Sequence, residues 1–237
     1  MSKTERKYRI ADRTIGITFG YEYTEKMCRA YEIFTEEEPE ICICVNQEEI
    51  DRERGSMEEG FSDAYLESLA IYRKLCEAML SYDTFLVHGS VIEVDGKAYL
   101  FTAPSGTGKS THVRLWKQHF GEAADVINDD KPLIQVRTDG IYVCGTPWCG
   151  KHGLNTNKKA SLHAICILER GLENHITEIE PMEGYPTLFR QTYRPKNRVL
   201  MTRTLALLKQ LAERVSLYRL QCNISEEAVQ VAWGKMH

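Results

Sequence analysis

The sequence has no apolar run approaching the roughly 20 residues of a membrane span, so no transmembrane helix is expected. It has no basic run, and its formal net charge is -4, which argues against nucleic acid or a membrane surface as the partner. It has no C-x-x-C pair, and no signal peptide is expected from its first residues. Its eight cysteines are scattered, several of them inside apolar runs such as Ile41-Cys42-Ile43-Cys44 and Ala164-Ile165-Cys166-Ile167. They read as reduced, core-filling thiols of a cytoplasmic protein rather than as disulfides or zinc ligands. Internal repeats and low-complexity tracts are also missing.

What is present is the composition of a globular protein. The chain has 237 residues, 43% hydrophobic and 27% charged, enough for one domain with a small addition. Up to residue 60 the pattern is β-rich, with strands expected at Tyr8–Ile10, Thr14–Thr18 and Pro39–Val45. The polar stretches Glu36–Glu40 and Gln47–Gly60 read as loops. From Phe61 the period changes. Tyr65, Leu69, Tyr72, Cys76 and Met79 fall on one helical stripe. The division expected is therefore a small β-rich segment, 1–60, packed on a domain spanning 61–237.

Phe85–His88 reads as a strand. Ser90–Val94 and Ala98–Thr102 flank Asp95-Gly96, a strong hairpin signal. Further strands are expected at Val126–Ile127, Leu133–Val136, Ile141–Cys144, Leu162–Leu168 and Leu217–Leu220. Helices are expected over Thr111–Phe120, closed by Gly121, and over Arg198–Arg214. Ser225 is placed to cap a last helix, with Ile224 and Val229 as a hydrophobic staple. Hairpins alternate with helices, so the fold class is α/β with a mixed sheet.

The most specific feature is Ala103-Pro104-Ser105-Gly106-Thr107-Gly108-Lys109-Ser110-Thr111. Gly108-Lys109-Ser110 matches the second half of the Walker A pattern, and Ala103 stands where that pattern has its first glycine. An apolar strand precedes the loop and a helix follows it. Gly106 and Gly108 let successive backbone N–H groups surround phosphate oxygens, and the helix N-terminus adds its dipole. Lys109 would reach the β- and γ-phosphates, and Ser110 would take one magnesium position. A glycine turn ahead of an ordinary helix would need neither the lysine nor the paired hydroxyls of Ser110 and Thr111. ATP and Mg2+ are the cofactors read from this loop.

Asp129 and Asp130 follow the short strand at Val126-Ile127, which puts them at a strand's C-terminal end near the loop. One carboxylate can hold magnesium opposite Ser110, and one can take the proton of an acceptor hydroxyl. Which aspartate does which stays open. His88-Gly89 precedes the hairpin; a lone histidine at a strand end is more often structural than functional. Gly145-Thr146-Pro147-Trp148-Cys149-Gly150-Lys151-His152-Gly153 reads two ways, as an acceptor-side loop in which Lys151 meets phosphate charge, or as a surface turn with a packed Trp148. Cys149 could be a reactive thiol or incidental. Arg190, Arg194, Lys196 and Arg198 form a cationic stretch, and His112, His119, His163 and His175 show no ligand spacing.

His88-Gly89, the hairpin, Ser105 to Thr111, and Asp129-Asp130, in that order, resemble the HPr kinase/phosphorylase group. The resemblance is particularly to its shorter bacterial relatives, the HPr-kinase-like or phosphoenolpyruvate-carboxykinase-like kinases. It covers about residues 85–170. The resemblance implies a P-loop kinase domain that binds ATP on the loop from Pro104 to Thr111. It implies that Lys109 and Ser110 serve phosphate and metal, that Asp129 and Asp130 supply the base and a metal contact, and that His88 tunes one of them. It also implies a homo-oligomer and a serine of a peptide or protein, or a small-molecule hydroxyl, as phosphoryl acceptor. A carboxykinase proper would be about twice this length. A GTPase switch would read guanine through N-K-x-D, whereas the chain has Asn157-Lys158-Lys159-Ala160. The remaining alternative is a regulatory module that binds ATP without catalysis.

Overall fold

The computed structural model describes residues 5–55 and 60–237. Two sheets organise it. The smaller begins with β1 (Glu5–Ile10) and β2 (Arg13–Thr18), an antiparallel hairpin whose turn residues Ala11 and Asp12 both have positive φ. After α1 (Glu22–Cys28), strand β3 (Ile41–Cys44) adds parallel to β2. Helix α2 (Gln47–Arg54) starts at a reciprocal cap: Asn46 Oδ1 accepts from the Glu49 N–H, and the Glu49 carboxylate accepts from the Asn46 N–H. Helix α3 (Asp63–Met79) is capped by Ser62 and lies against this sheet, burying Leu66, Ile71 and Leu75 with Tyr8, Ile15, Ile17 and Ile43.

The larger, nine-stranded sheet runs β4 (Thr84–Leu86), β8 (Leu133–Val136), β9 (Ile141–Cys144), β10 (Lys159–Arg170), β6 (Lys97–Thr102), β5 (Ser90–Val94) and β7 (Ala124–Asn128), so spatial order departs from chain order. Strand β10 is its axis. One edge pairs parallel with β6; the other pairs antiparallel with β9 over its first residues and parallel with β12 (Ser216–Cys222) over its last. β11 (His175–Ile179) closes on β12. Helices α4 (Lys109–Phe120) and α7 (Glu226–Met236) cover one face through Trp116, Phe101 and Tyr99. Helices α5 (Pro181–Gln191) and α6 (Arg198–Arg214) cover the other through Leu188, Leu207, Leu208 and Leu211. The result is a mixed α/β protein built on a mixed sheet.

Several expectations need correction. The stretch from Gln47 holds α2, because the cap and the Gln47–Asp51 contact support a helix that buries only Ile50; residues 56–59 lie outside the described residues. The buried stripe of α3 is Leu66, Ala70, Leu75 and Met79 with Tyr72 and Cys76, while Tyr65 and Leu69 are only partly covered. No staple forms at α7. Ile224 is 79% exposed, and the Ser225 hydroxyl donates to Asn223 Oδ1. The hairpin at Asp95-Gly96 has positive φ at both residues, as a type I′ turn requires.

Candidate active site

Strand β6 ends at Thr102, and the chain turns through Ala103–Gly108 into α4. Gly106 (φ 78°) and Gly108 (φ 120°) occupy conformations that side chains resist. Ala103 is fully buried and is not among the positive-φ residues, so a methyl is tolerated where the common pattern has glycine. The Lys109 ammonium folds back over the turn and donates to the carbonyls of Ala103 (2.9 Å) and Pro104 (3.4 Å). Burial lowers its affinity for the proton, and the Asp130 charge opposes that.

Asp129 and Asp130 follow β7 directly. Ser105, Gly106, Gly108, Lys109, Ser110 and Thr111 share one cleft of about 410 Å³ with Asp129, Asp130, Gly150, Lys151 and His152. Of the candidate residues, Pro104, Thr107 and His88 are not part of this cleft's lining; Thr107 faces an adjoining pocket. His88 is tied to it through the backbone. The Gly89 N–H donates to the Asp130 carbonyl (3.1 Å), and the Ser90 hydroxyl donates to that of Asp129 (2.7 Å). Burial holds the His88 imidazole below its ordinary pKa, against the pull of Asp130.

Asp129 is 2% exposed. Its Oδ1 accepts the Gly150 N–H, and its Oδ2 has no hydrogen-bond partner among the described residues. Burial raises its carboxyl pKa above the ordinary range, the Gly150 N–H pulls it down, and the Asp130 charge adds to the rise. Asp130 is more open, with Lys131 Nζ 3.8 Å from Oδ2. A buried carboxylate oxygen without a donor is a costly arrangement that a hard cation would relieve. Ser110, Asp129 and Asp130 together offer oxygen donors of the kind magnesium takes.

Sequence reasoning missed the residue that shapes the turn. Asn128 is fully buried, and its Oδ1 accepts from the backbone N–H groups of Asp130 (2.9 Å) and Lys131 (2.7 Å). Its Nδ2 donates to the carbonyls of Thr146 (3.1 Å) and Trp148 (3.1 Å). One amide thus fixes the acidic pair against the Gly145–Gly153 loop. The loop packs one side chain and turns others toward the cleft. Trp148 is packed, stacking on Tyr72 at 4.4 Å and donating to the Ser68 carbonyl, while Lys151 and His152 face the cleft. Cys149 accepts from Asn155 Nδ2, and burial raises its thiol pKa, so it is not poised as a thiolate. Arg170, at the end of β10, donates to the Gly106 carbonyl and was also missed. Of the four histidines without ligand spacing, His112 accepts from Trp116 Nε1, His119 meets Glu226, and His163 meets the Met236 carbonyl.

No protein-family model matches the chain, and no curated protein matches it. Among solved structures it is similar to the HPr(Ser) kinase/phosphatase from Coxiella burnetii, with 11% identity over 64% of this chain and 97% of that one and a TM-score of 0.37. A score that low carries no argument, so the functional reading rests on the cleft itself. Among the described residues no helix is long and apolar enough to cross a membrane.

Proposed function

We propose that the chain is a cytoplasmic ATP-dependent kinase of the HPr-kinase-like type, moving the γ-phosphoryl group to a hydroxyl of a peptide, a protein or a small molecule. The observation that carries this reading is the meeting of the glycine turn, Lys109 and Ser110 with the unpartnered Oδ2 of Asp129 in one cleft. In this reading the N–H groups from Ser105 to Thr111 hold the phosphates. Lys109 exchanges its bonds to the Ala103 and Pro104 carbonyls for phosphate oxygens. Ser110 with Asp129 or Asp130 would hold magnesium, which would supply neutralising charge to the phosphates. The other aspartate accepts the proton of the acceptor hydroxyl as its oxygen bonds to the γ-phosphorus. The bond to the β-phosphate oxygen breaks, and its electron pair leaves with ADP. Lys151 and His152, on the same cleft, are placed to meet charge on the transferring group.

The test is transfer of label from γ-labelled ATP with magnesium to free serine and threonine, hydroxy compounds, HPr and serine peptides. Label on one acceptor class, lost in Lys109→Ala and in the Asp129→Ala/Asp130→Ala double variant, is the expected result. Failure to bind ATP, or binding that Lys109→Ala leaves intact, overturns the reading. Binding with neither transfer nor hydrolysis favours a regulatory ATP-binding module instead.

A further inference from the structure

A second cavity of about 460 Å³ adjoins the cleft and shares Gly106, Gly108 and Thr111 with it. Its walls come from three places: Leu115 on α4, Leu168 on β10, and Cys222 with Ile224 where β12 runs toward α7. These surfaces are apolar, and the volume suits a heterocycle with part of a sugar. The longer polar side chains around it are already engaged, and the short hydroxyls of Thr107 and Thr111 lie at the phosphate-loop end. Asn223 Nδ2 donates to the Leu172 carbonyl (2.9 Å), and its Oδ1 accepts the Ser225 hydroxyl (2.6 Å). Glu169 pairs with Arg219 (3.1 Å), and Arg170 donates to the Gly106 carbonyl.

We propose that this pocket holds the purine of the nucleotide whose phosphates sit on the glycine turn, and that it grips the base by its faces and does not read its edge. This rests on the phosphate-loop reading above. The continuity of the two cavities through Gly106 and Gly108 gives a nucleotide one path from phosphates to base. A pocket with apolar walls whose one side-chain amide, that of Asn223, is committed discriminates weakly between ligands that differ in polar groups at an edge. The protein therefore takes ATP and GTP with similar affinity.

The experiment is calorimetric titration of the full chain with Mg·ATP, Mg·GTP and Mg·tripolyphosphate. Variants are Lys109→Ala, Ile224→Ser and the Leu115→Ala/Ile224→Ser double, each checked by thermal melting. Ile224 is exposed, so its substitution leaves the fold intact. Expected are ATP and GTP affinities within about tenfold of each other, both about tenfold or more above tripolyphosphate. The double variant should weaken both nucleotides about tenfold and leave tripolyphosphate unchanged. Nucleotide binding no tighter than tripolyphosphate, or indifferent to the double variant, overturns the pocket while leaving the phosphate loop standing. A preference for one purine of about 100-fold or more overturns recognition by the faces alone. If none of the three ligands binds, or if Lys109→Ala binds them all as well as the parent, the phosphate-loop reading fails and this one with it.

Discussion

The backbone N–H of Gly150 donates to Oδ1 of Asp129, and a Cβ at position 150 would stand 2.9 Å from the same carboxylate's Oδ2. The glycine is needed for closeness of approach. Its φ is not among the positive ones, so the backbone there suits any residue. Gly150→Ala is expected to push the carboxylate aside by a fraction of an ångström. Turnover should fall about 10- to 100-fold with little change in melting temperature, read by a coupled kinase assay beside a thermal melt.

Asp129→Asn should separate function from stability. The amide keeps an acceptor for the Gly150 N–H and removes a buried negative charge. Because folding raises the Asp129 pKa, its favourable contribution exists below the unfolded value near 3.8 and disappears as pH rises through the folded value. The parent is thus penalised at neutral pH. The variant is expected to melt about 2–4 °C higher at pH 7, with the gap closing toward pH 4, and to lose about 100-fold or more in transfer activity. A lower melting point at pH 7 would contradict this account of the orphaned oxygen.

Asn128→Ala removes the amide that joins the acidic turn to the facing loop. It leaves the N–H groups of Asp130 and Lys131 and the carbonyls of Thr146 and Trp148 without that partner. A cost of about 2–4 kcal/mol is expected in urea unfolding, with the slope unchanged. Phosphoryl transfer should fall even where the variant is fully folded.

His112 gives the stability a pH dependence. Its Nε2 accepts the Trp116 indole N–H (3.0 Å) in the core, and burial pulls its pKa to about 4. A depressed folded value means the contribution is complete above the unfolded pKa near 6.5 and is lost as pH falls toward 4. The loss is on the order of 3 kcal/mol across that window. His112→Phe should be less stable at pH 7, since Trp116 loses its acceptor, and should show a flatter stability profile from pH 6.5 to 4 in urea titrations.

What could be read in the sequence was local. The glycine turn, Lys109-Ser110 and the acidic pair announce themselves because phosphate and metal chemistry needs those residue types within a few positions. The Asp95-Gly96 turn and the helix over Arg198–Arg214 follow from turn chemistry and period in the same way. Asn128 and Gly150 stayed hidden because what they do is decided across the fold: Asp129 and Gly150 are 21 residues apart, and nothing local to either calls for the other. Helix α5 escaped because Gly184 and Pro186 break its pattern. Gly184 is there for packing, since a Cβ would lie 2.8 Å from Leu217 Cδ1. Asn46 and Glu49 carried a legible cap for α2 that the polar composition around them masked.

Trp148 sits in the core that α3 shares with the N-terminal sheet, stacked on Tyr72, and two residues later the same loop reaches Asp129. The other two tryptophans, Trp116 on α4 and Trp233 on α7, lie 5.8 Å apart in a separate core. The molecule therefore carries two optically distinct populations of indole: a coupled pair and a single emitter wired to the cleft. With Trp116 and Trp233 replaced by phenylalanine, the remaining emission becomes a built-in gauge of what enters the cleft and how quickly, with no label attached.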